Sequence, residues 1–586
     1  MIYPKIPLAQ TVIQLCKLKN IKHIIISPGS RNAPLTLGFT NDESFNCYSI
    51  VDERCAAFFA LGIAQQIGEP TAVVCTSGSA LLNYYPAIAE AFYSDIPLVV
   101  LSADRPKHLI GIGDGQTINQ KDVFQNHILY SVNLKLDIKD EHGVSDKDEL
   151  PIFKSLENKL ERILGLQQSI QSYNEEEINR AIDLAYFNKG PVHINIPFDE
   201  PLYETVKQLS VNPELEDFGT KPSKIDQAEL KDCIDEWYVS KKKMVLVGVL
   251  NPNQIDQKWL EELANDDSVV LFSETTSNIH HPQFFESIDK IIAPLDEKDF
   301  KELQPDILVT IGGLIISKKI KAFLRQFQPK HHWHIGEKMA NDTFFALDKH
   351  IVAKPNDFFA EFLPKITHVT KSSYLEKWSM VKQHRHKKHL EYLKQIPFSD
   401  FKVFSAVLKS LPKKTILQLA NSSAIRYAQL FKMNPSIEVY CNRGTSGIDG
   451  STSTAIGCAV ANPKQTTFIT GDLSFFYDSN ALWNNYIPNN FRIVVVNNNG
   501  GGIFRILPGH KNTPNFDYFF ETQHQLTAKQ LCEMYNFEYS TARNEEELET
   551  LLAPFYNKSK KPRLLEIFTP RTKNDTILLD YFKYIK

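Results

Sequence analysis

Short β-branched runs, each ending abruptly in small or polar residues, recur along the whole chain. The first four are HIIISPGS (23–30), TAVVCTSGS (71–79), IPLVVLSADRP (96–106) and GPVHINIPFDEP (190–201). Segments with helical periodicity lie between them, such as DERCAAFFALGIAQQIG at 52–68. A strand that is apolar on both faces must be covered on both faces, and a helix between consecutive strands does that. The pattern therefore predicts a parallel sheet wrapped by helices. It then repeats. MVLVGVL (244–250), SVVLFSET (268–275), PDILVTIGG (305–313) and HHWHIGE (331–337) form a second group. KTILQLANSS (414–423), IEVYCNRGTSG (437–447), TTFITGDLSFF (466–476), FRIVVVNNNGG (491–501) and RLLEIFTPR (563–571) form a third. The expected fold class is α/β, with three tandem doubly wound parallel-sheet domains.

The joints are read from composition. Polar residues near 202–230 end a first domain at 204, and a second runs over 205–366. The third, 367–586, opens with a linker helix over 367–398, whose YLEKWSMVKQHRHKKHLEYLKQ reads as exposed. The Lys-, Glu- and Asp-rich stretch 133–180 reads as a helical excursion from the first domain. A net charge of −4 argues against a nucleic-acid-binding surface spread over the protein. The eight cysteines include no C-x-x-C pair and read as reduced thiols of a cytoplasmic protein. The amino terminus lacks a basic region and an apolar core, so it is not read as a signal peptide. No apolar run reaches the roughly 18 residues of a membrane span.

Ligands of open α/β sheets bind beyond the carboxyl ends of the strands. In GDLSFFYDSNALWNNYIPNNFRIVVVNNNGGG, one strand ends at Gly471-Asp472 and the next at Asn497–Asn499. A βαβ unit would bring these ends together. Asp472 then offers a carboxylate, Asn498 an amide oxygen, and the glycines let a backbone carbonyl turn to the same point. Mg²⁺ wants six oxygens and takes the remainder from phosphate and water, so the pair reads as a metal–diphosphate site. Gly-Asp or Asn-Gly alone is ordinary turn chemistry. Other strand ends carry cations and polar groups: Ser30 and Arg31, Arg105 and Gln116, Lys318 and Lys319, Ser422 and Arg426, and Arg443 with the nearby Ile448. Any one arginine is ordinarily a solvated charge, but the set suits a substrate with several carboxylates, each held bidentately by Arg. Three features read as decoys. HRHKKH (384–389) lacks an acidic or Cys ligand nearby and reads as a solvated helix face. HHWH (331–334) reads as structural or near the middle-domain cleft. GIGDG (111–115) follows a Pro-containing loop rather than a strand, so it is no dinucleotide fingerprint.

Gly-Asp followed by Asn-Asn at this spacing resembles the cofactor motif of thiamine-diphosphate enzymes. The resemblance implies a pyrimidine-binding domain (1–204), a middle domain (205–366) and a diphosphate- and Mg-binding domain (367–586). It implies Asp472, Asn498 and the Gly500 carbonyl as ligands of Mg²⁺ or Mn²⁺. It also implies a glutamate that hydrogen-bonds the aminopyrimidine and shuttles a proton, which a buried carboxyl with a raised pKa can do. The candidate is Glu53 in SIVDERCAAFFALG, although "DER" alone is more often a surface ion-pair cluster. Gly471, Leu473, Ser474, Ile448, Ile503 and Phe504 would complete the cofactor site, with Ile448 as the wedge that bends it. Within the family, SPGSR, DER, ADRP, NRGTSGIDG, GDLSFFYD and NNNGGGIF resemble the carboligases of menaquinone synthesis. These transferases decarboxylate 2-oxoglutarate and add the succinyl fragment to isochorismate, in homodimers or homotetramers with active sites between subunits. Four positions depart from the pattern: Leu473 where Gly is usual, Cys55 for Gly, Asp114 for Ala, and Lys319 where Arg is often expected. Two other readings stand beside this one. One is an acetolactate-synthase-like carboligase, and the other is a non-catalytic protein on the same scaffold.

Overall fold

Every predicted apolar run forms a strand. The computed structural model describes residues 2–137, 156–219, 224–507, 509, 511 and 513–586. β1 (Tyr3–Pro4) precedes a six-stranded sheet of β2 (His23–Ile26), β3 (Asn46–Ser49), β4 (Thr71–Cys75), β5 (Leu98–Asp104), β6 (Tyr130–Asn133) and β7 (Val192–Pro197). β8 (Thr205–Val206) pairs antiparallel with β1. A five-stranded sheet follows: β9 (Lys243–Val247), β10 (Val269–Ser273), β11 (Ile307–Ile311), β12 (His331–Ile335) and β13 (Lys349–Ile351). The last sheet holds β14 (Ile416–Leu419), β15 (Glu438–Cys441), β16 (Thr466–Gly471), β17 (Arg492–Asn497), β18 (Glu538–Ala542) and β19 (Arg563–Phe568).

The strand orders are β3-β2-β4-β5-β7-β6, β10-β9-β11-β12-β13 and β15-β14-β16-β17-β19-β18. All neighbours in these three sheets are parallel. In each, the first strand lies between the second and third, so the winding direction reverses there and opens a crevice at the carboxyl ends. Within these three sheets, β3, β6, β13 and β18 have no counterpart among the predicted runs. Each is an edge strand with a partly exposed face, so none shows a continuous apolar run.

The chain divides into two compact units. The first comprises Met1–Thr220 with two later pieces, Asp449–Pro463 and Asp478–Pro488. Glycine explains why 449–463 belongs there. The helix Ser451–Ala461 lies backbone to backbone on the helix Glu53–Ile67. A Cβ on Gly62 would stand 2.1 Å from the Thr454 carbonyl oxygen, and one on Gly457 would stand 2.0 Å from that of Phe59. The second unit comprises Lys221–Ile448, Lys464–Tyr477 and Asn489–Lys586.

Two expectations change. The linker helix, Tyr374–Gln395, is not an exposed element: it buries Tyr374, Trp378, Arg385, His389 and Tyr392 along one face. HRHKKH is therefore only partly solvated. Arg385 donates to the Ile585 carbonyl, and His389 Nδ1 meets the Tyr581 hydroxyl at 2.7 Å. Burial pushes His389 down to about 3. The charged stretch 133–180 is also no excursion where it is described. The helix Leu156–Asn188 is the crossover between β6 and β7, and it places Ile178, Ala181, Ile182 and Ala185 in the first core. Residues 138–155 of that stretch lie outside the described residues. No disulfide joins any of the eight cysteines. Among the described residues no helix is long and apolar enough to cross a membrane.

Candidate active site

In the second unit, β16 and β17 run in register, with Gly471 opposite Val496. Asp472 and Asn498 therefore leave neighbouring strands at nearly the same level. Asp472 is 3% exposed and Asn498 8%. Asp472 Oδ2 accepts the Gly500 N–H at 3.0 Å, and Oδ1 accepts that of Leu473 at 2.7 Å. Asn498 Nδ2 donates to Asp400 Oδ2 at 3.0 Å, which leaves the amide oxygen as the atom to present to a ligand. Asp400 is fixed in turn by the Thr569 hydroxyl at 2.5 Å. Burial, with Asp472 adding to it, pushes Asp400 up to about 6.

The glycines that follow are required by space. Gly500 has φ 152°, and a Cβ there would lie 2.6 Å from the Glu521 carbonyl oxygen. That oxygen accepts the Gly501 N–H at 2.6 Å. The Gly500 carbonyl accepts Gly502 N–H at 3.0 Å, so it is the Gly500 N–H that touches Asp472. The second lone pair of that carbonyl remains. A buried carboxylate, an amide oxygen and a backbone carbonyl in one loop cluster fit a hard divalent cation. His524, absent from the expected set, adds a nitrogen: its buried Nε2 lacks a hydrogen-bond partner and lies 3.3 Å from Asp472 Oδ2. Arg505 was also missed. It grips Glu521 through Nε and Nη2, both at 2.5 Å, and so anchors the loop whose carbonyl holds Gly501.

The other expected cofactor residues gather here. Ser474 Oγ donates to the Ile448 carbonyl at 2.7 Å. Leu473 and Phe504 converge on Gly501, where a Cβ would meet them at 3.3 and 3.1 Å. Gly471 faces open space. Ile503 and Phe504 stand on a single helical turn, Ile503–Ile506, partly open to solvent.

The cations of this unit fall into two groups. Arg443 Nη1 donates to Asn421 Oδ1 at 2.8 Å, while its buried Nε has no hydrogen-bond partner. Burial and the neighbouring Arg443 hold Arg426 below the usual guanidinium range, with Asp289 opposing. Ser422, one residue before the helix Ser423–Ala428, is held at φ 64°. Lys318 and Lys319 lie exposed in the first turn of the helix Lys318–Gln326. Cations are disfavoured at that end of a helix dipole, so helix stability does not account for them. Three residues went unnamed in the sequence reading. Asn421 ties the loop after β15 to the end of β14 by donating to the Asn442 and Gly447 carbonyls, both at 2.7 Å. Lys321 is held low by burial, with Glu274 opposing and Arg443 reinforcing. Glu274 accepts the Ile316 and Ser317 N–H groups at 2.9 and 3.0 Å, and burial pushes it up to about 7. Asn421 and Glu274 are buried where apolar runs end and Lys321 is half-buried on a basic helix, so none of the three carries a periodic signal.

In the first unit, Ser30, Glu53 and Gln116 line one cavity of about 270 Å³ with Pro28, Gly29, Thr76 and Ser77 among its walls. Glu53 opens the helix Glu53–Ile67 and is half-buried, less enclosed than expected. Asp52 caps that helix by accepting Arg54 N–H at 3.0 Å, and Asn480 Nδ2 steadies the cap at 2.9 Å. Arg31 and Arg105 are not among the lining residues. Arg31 donates to the Phe198 carbonyl at 3.0 Å and Arg105 to that of Gly115 at 2.9 Å. The Nε of each is buried without a hydrogen-bond partner. Burial, and then the Arg105 charge, lower the Arg31 guanidinium from its ordinary value. Gln120, another missed residue, accepts Gly78 N–H at 2.9 Å and donates to Asn195 at 2.7 Å. The departures have local accounts. Cys55 Sγ reaches Asp478 at 3.7 Å, and Asp114 stands in an exposed loop.

Three family descriptions match the chain in succession. They are the thiamine pyrophosphate enzyme N-terminal TPP binding domain over residues 6–129, the middle domain of thiamine pyrophosphate over 217–419, and the C-terminal TPP binding domain over 421–567. The chain is also similar to a 2-succinyl-5-enolpyruvyl-6-hydroxy-3-cyclohexene-1-carboxylate synthase of Flavobacterium psychrophilum, 55% identical over 583 residues and covering 100% of both chains. The enzyme of that name from Flavobacterium johnsoniae is 56% identical over 587 residues, again covering 100% of both. That from Porphyromonas gingivalis is 34% identical, covering 98% of this chain and 96% of its own.

Proposed function

The chain belongs to the thiamine pyrophosphate enzyme family, and we propose that it catalyses the reaction for which its curated relatives are named. It decarboxylates 2-oxoglutarate and adds the succinyl fragment to isochorismate, releasing CO₂, in menaquinone biosynthesis. The observation that carries this reading is the meeting of Asp472, Asn498 and Gly500 behind adjacent parallel strands. Thiamine diphosphate, when bound, supplies the carbon nucleophile that takes up the 2-oxo acid and the sink for the electron pair left as CO₂ departs.

The chain's own residues have separate tasks. Asp472, Asn498 and the Gly500 carbonyl would hold Mg²⁺ or Mn²⁺. Glu53 would hydrogen-bond the aminopyrimidine and move a proton at that nitrogen. Gly471, Leu473 and Ser474 would line the diphosphate end, and Ile448 would buttress the cofactor. Ile503 and Phe504 give the pocket an apolar side that excludes water. Both substrates are dianions, so carboxylate binding falls to cations and polar groups. We assign this to Ser30, Arg31, Arg105 and Gln116 in the first unit, and to Lys318, Lys319, Ser422, Arg426 and Arg443 in the second. The unpartnered Nε atoms of Arg31, Arg105 and Arg443 support that assignment. We propose domain limits of 1–204, 205–366 and 367–586. We place the enzyme in the cytoplasm, as a homodimer or homotetramer with active sites between subunits; light scattering checks the assembly.

The test is to mix the protein with thiamine diphosphate, Mg²⁺, 2-oxoglutarate and isochorismate and follow the isochorismate absorbance. Loss of absorbance only when all are present supports the proposal. Turnover with pyruvate replacing both substrates, and none with 2-oxoglutarate, would overturn it.

A further inference from the structure

The histidine-rich strand β12 carries a group that the proposed reaction does not use. His331 opens the strand, Asp348 immediately precedes the edge strand β13, and Glu236 lies on the helix Gln227–Val239. His331 Nδ1 stands 3.1 Å from Asp348 Oδ2 and 3.5 Å from Glu236 Oε2. One ligand atom from each of the three lies within 4.8 Å of the others. We propose that Glu236, His331 and Asp348 form a divalent transition-metal site that clips the edge strand β13 and β12 to this helix.

Geometry, charge and ligand chemistry carry the proposal. Zinc bonds to imidazole nitrogen and carboxylate oxygen measure about 2.0–2.2 Å, which sets the edge of a tetrahedron at about 3.3–3.6 Å. The 3.1 and 3.5 Å separations lie close to that edge. Both carboxylates are oriented by groups outside the trio. Asp348 Oδ1 accepts the His332 N–H at 2.8 Å, which leaves Oδ2 turned toward His331. Glu236 Oε1 is held by Lys349, and Oε2 accepts Trp333 Nε1–H at 2.9 Å with a lone pair to spare. Such outer contacts fix ligands in real metal sites. With Lys349 neutralising one of the two carboxylates, a divalent ion meets a net single negative charge. All three side chains are partly exposed, at 33% for His331, so an ion has a way in and a water can complete the tetrahedron. Mixed imidazole and carboxylate ligands select zinc, cobalt or nickel over the magnesium preferred by all-oxygen sites. The trio lies at the amino ends of β12 and β13, whereas the residues assigned to catalysis follow carboxyl ends. What the clip holds is a three-residue strand at a sheet edge.

The test is isothermal titration of chelator-treated full-length protein with Zn²⁺, followed by Co²⁺ absorption. The expected result is one Zn²⁺ per chain and an intense visible Co²⁺ band from tetrahedral coordination. Both should disappear in His331→Ala, while Mg²⁺-dependent binding of thiamine diphosphate stays unchanged. Asp348→Asn provides a second variant on the exposed rim, and a drop in Zn²⁺ affinity of at least tenfold is expected. No stoichiometric Zn²⁺ in the wild type, or a site that survives in both variants, would overturn the proposal without touching the catalytic assignment.

Discussion

The first and last sheets share one strand order, 2-1-3-4-6-5 in chain order within each. Their corresponding strand ends carry different chemistry. The third strand of the first sheet runs into Thr76, Ser77 and Gly78, and its fourth into Asp104-Arg105. The third strand of the last sheet runs into Gly471-Asp472, and its fourth into Asn497-Asn498. In the first, neutral polar groups share a cavity with the half-buried carboxylate of Glu53, and the cations Arg31 and Arg105 stand outside its lining. In the last, the buried Asp472 and Asp400 flank an amide. A shared scaffold therefore fixes where ligands go, and the residues after each strand decide which ligands they are.

Asp472→Ala should break the last sheet's side most severely. Mg²⁺-dependent binding of thiamine diphosphate should fall below detection by calorimetry, and turnover with it. Glu53→Gln should break the other side differently: turnover drops about 10²–10⁴-fold, while cofactor binding persists. If both variants lost cofactor binding equally, the division of labour between the sheets would be wrong. Gly62→Ala tests the first unit's packing. A methyl driven into the Thr454 carbonyl should cost about 1–3 kcal/mol by overpacking, read as a lower denaturation midpoint with no change in KM.

The smallest effect is a pH dependence. Burial raises Asp478 in the first unit to about 7 and Asp400 in the second to about 6. An unfolded aspartate titrates near about 3.9, so the folded state holds these protons longer. The stability each contributes is complete below the unfolded value and is lost as pH rises through about 6 and about 7. Asp478→Asn should therefore melt less steeply with pH between 5 and 8 than the wild type, in thermal scans at fixed ionic strength. Parallel slopes would mean that the Asp478 carboxyl keeps its ordinary value.

The central strands were legible because burial on both faces writes a continuous apolar run into the sequence. β3, β6, β13 and β18 were not, because an edge strand half open to water needs no such run. The candidate site shows the same division. Asp472, Asn498 and the glycines announced themselves through spacing, since a βαβ unit converts about two dozen residues into adjacency. Asn421, Gln120 and Glu274 hold loops from inside the structure, and only their tertiary partners reveal them. Arg385 and His389 misled in the opposite direction: their charge suggested solvent, but backbone and hydroxyl partners let them be buried.

The glycine-paired helices have a consequence for biosynthesis. The helix Glu53–Ile67 emerges early, but its partner, Ser451–Ala461, is made far later. From residue 221 through Ala461 the chain adds 241 residues (461 − 220). At about 5–20 residues per second, the ribosome needs roughly 12–50 s to supply the missing piece. Throughout that interval the nascent first unit exposes a face built of Phe58, Phe59 and small apolar residues. The amino-terminal unit is thus completed only after most of the chain has been translated, which makes it a client for whatever shields nascent apolar surface.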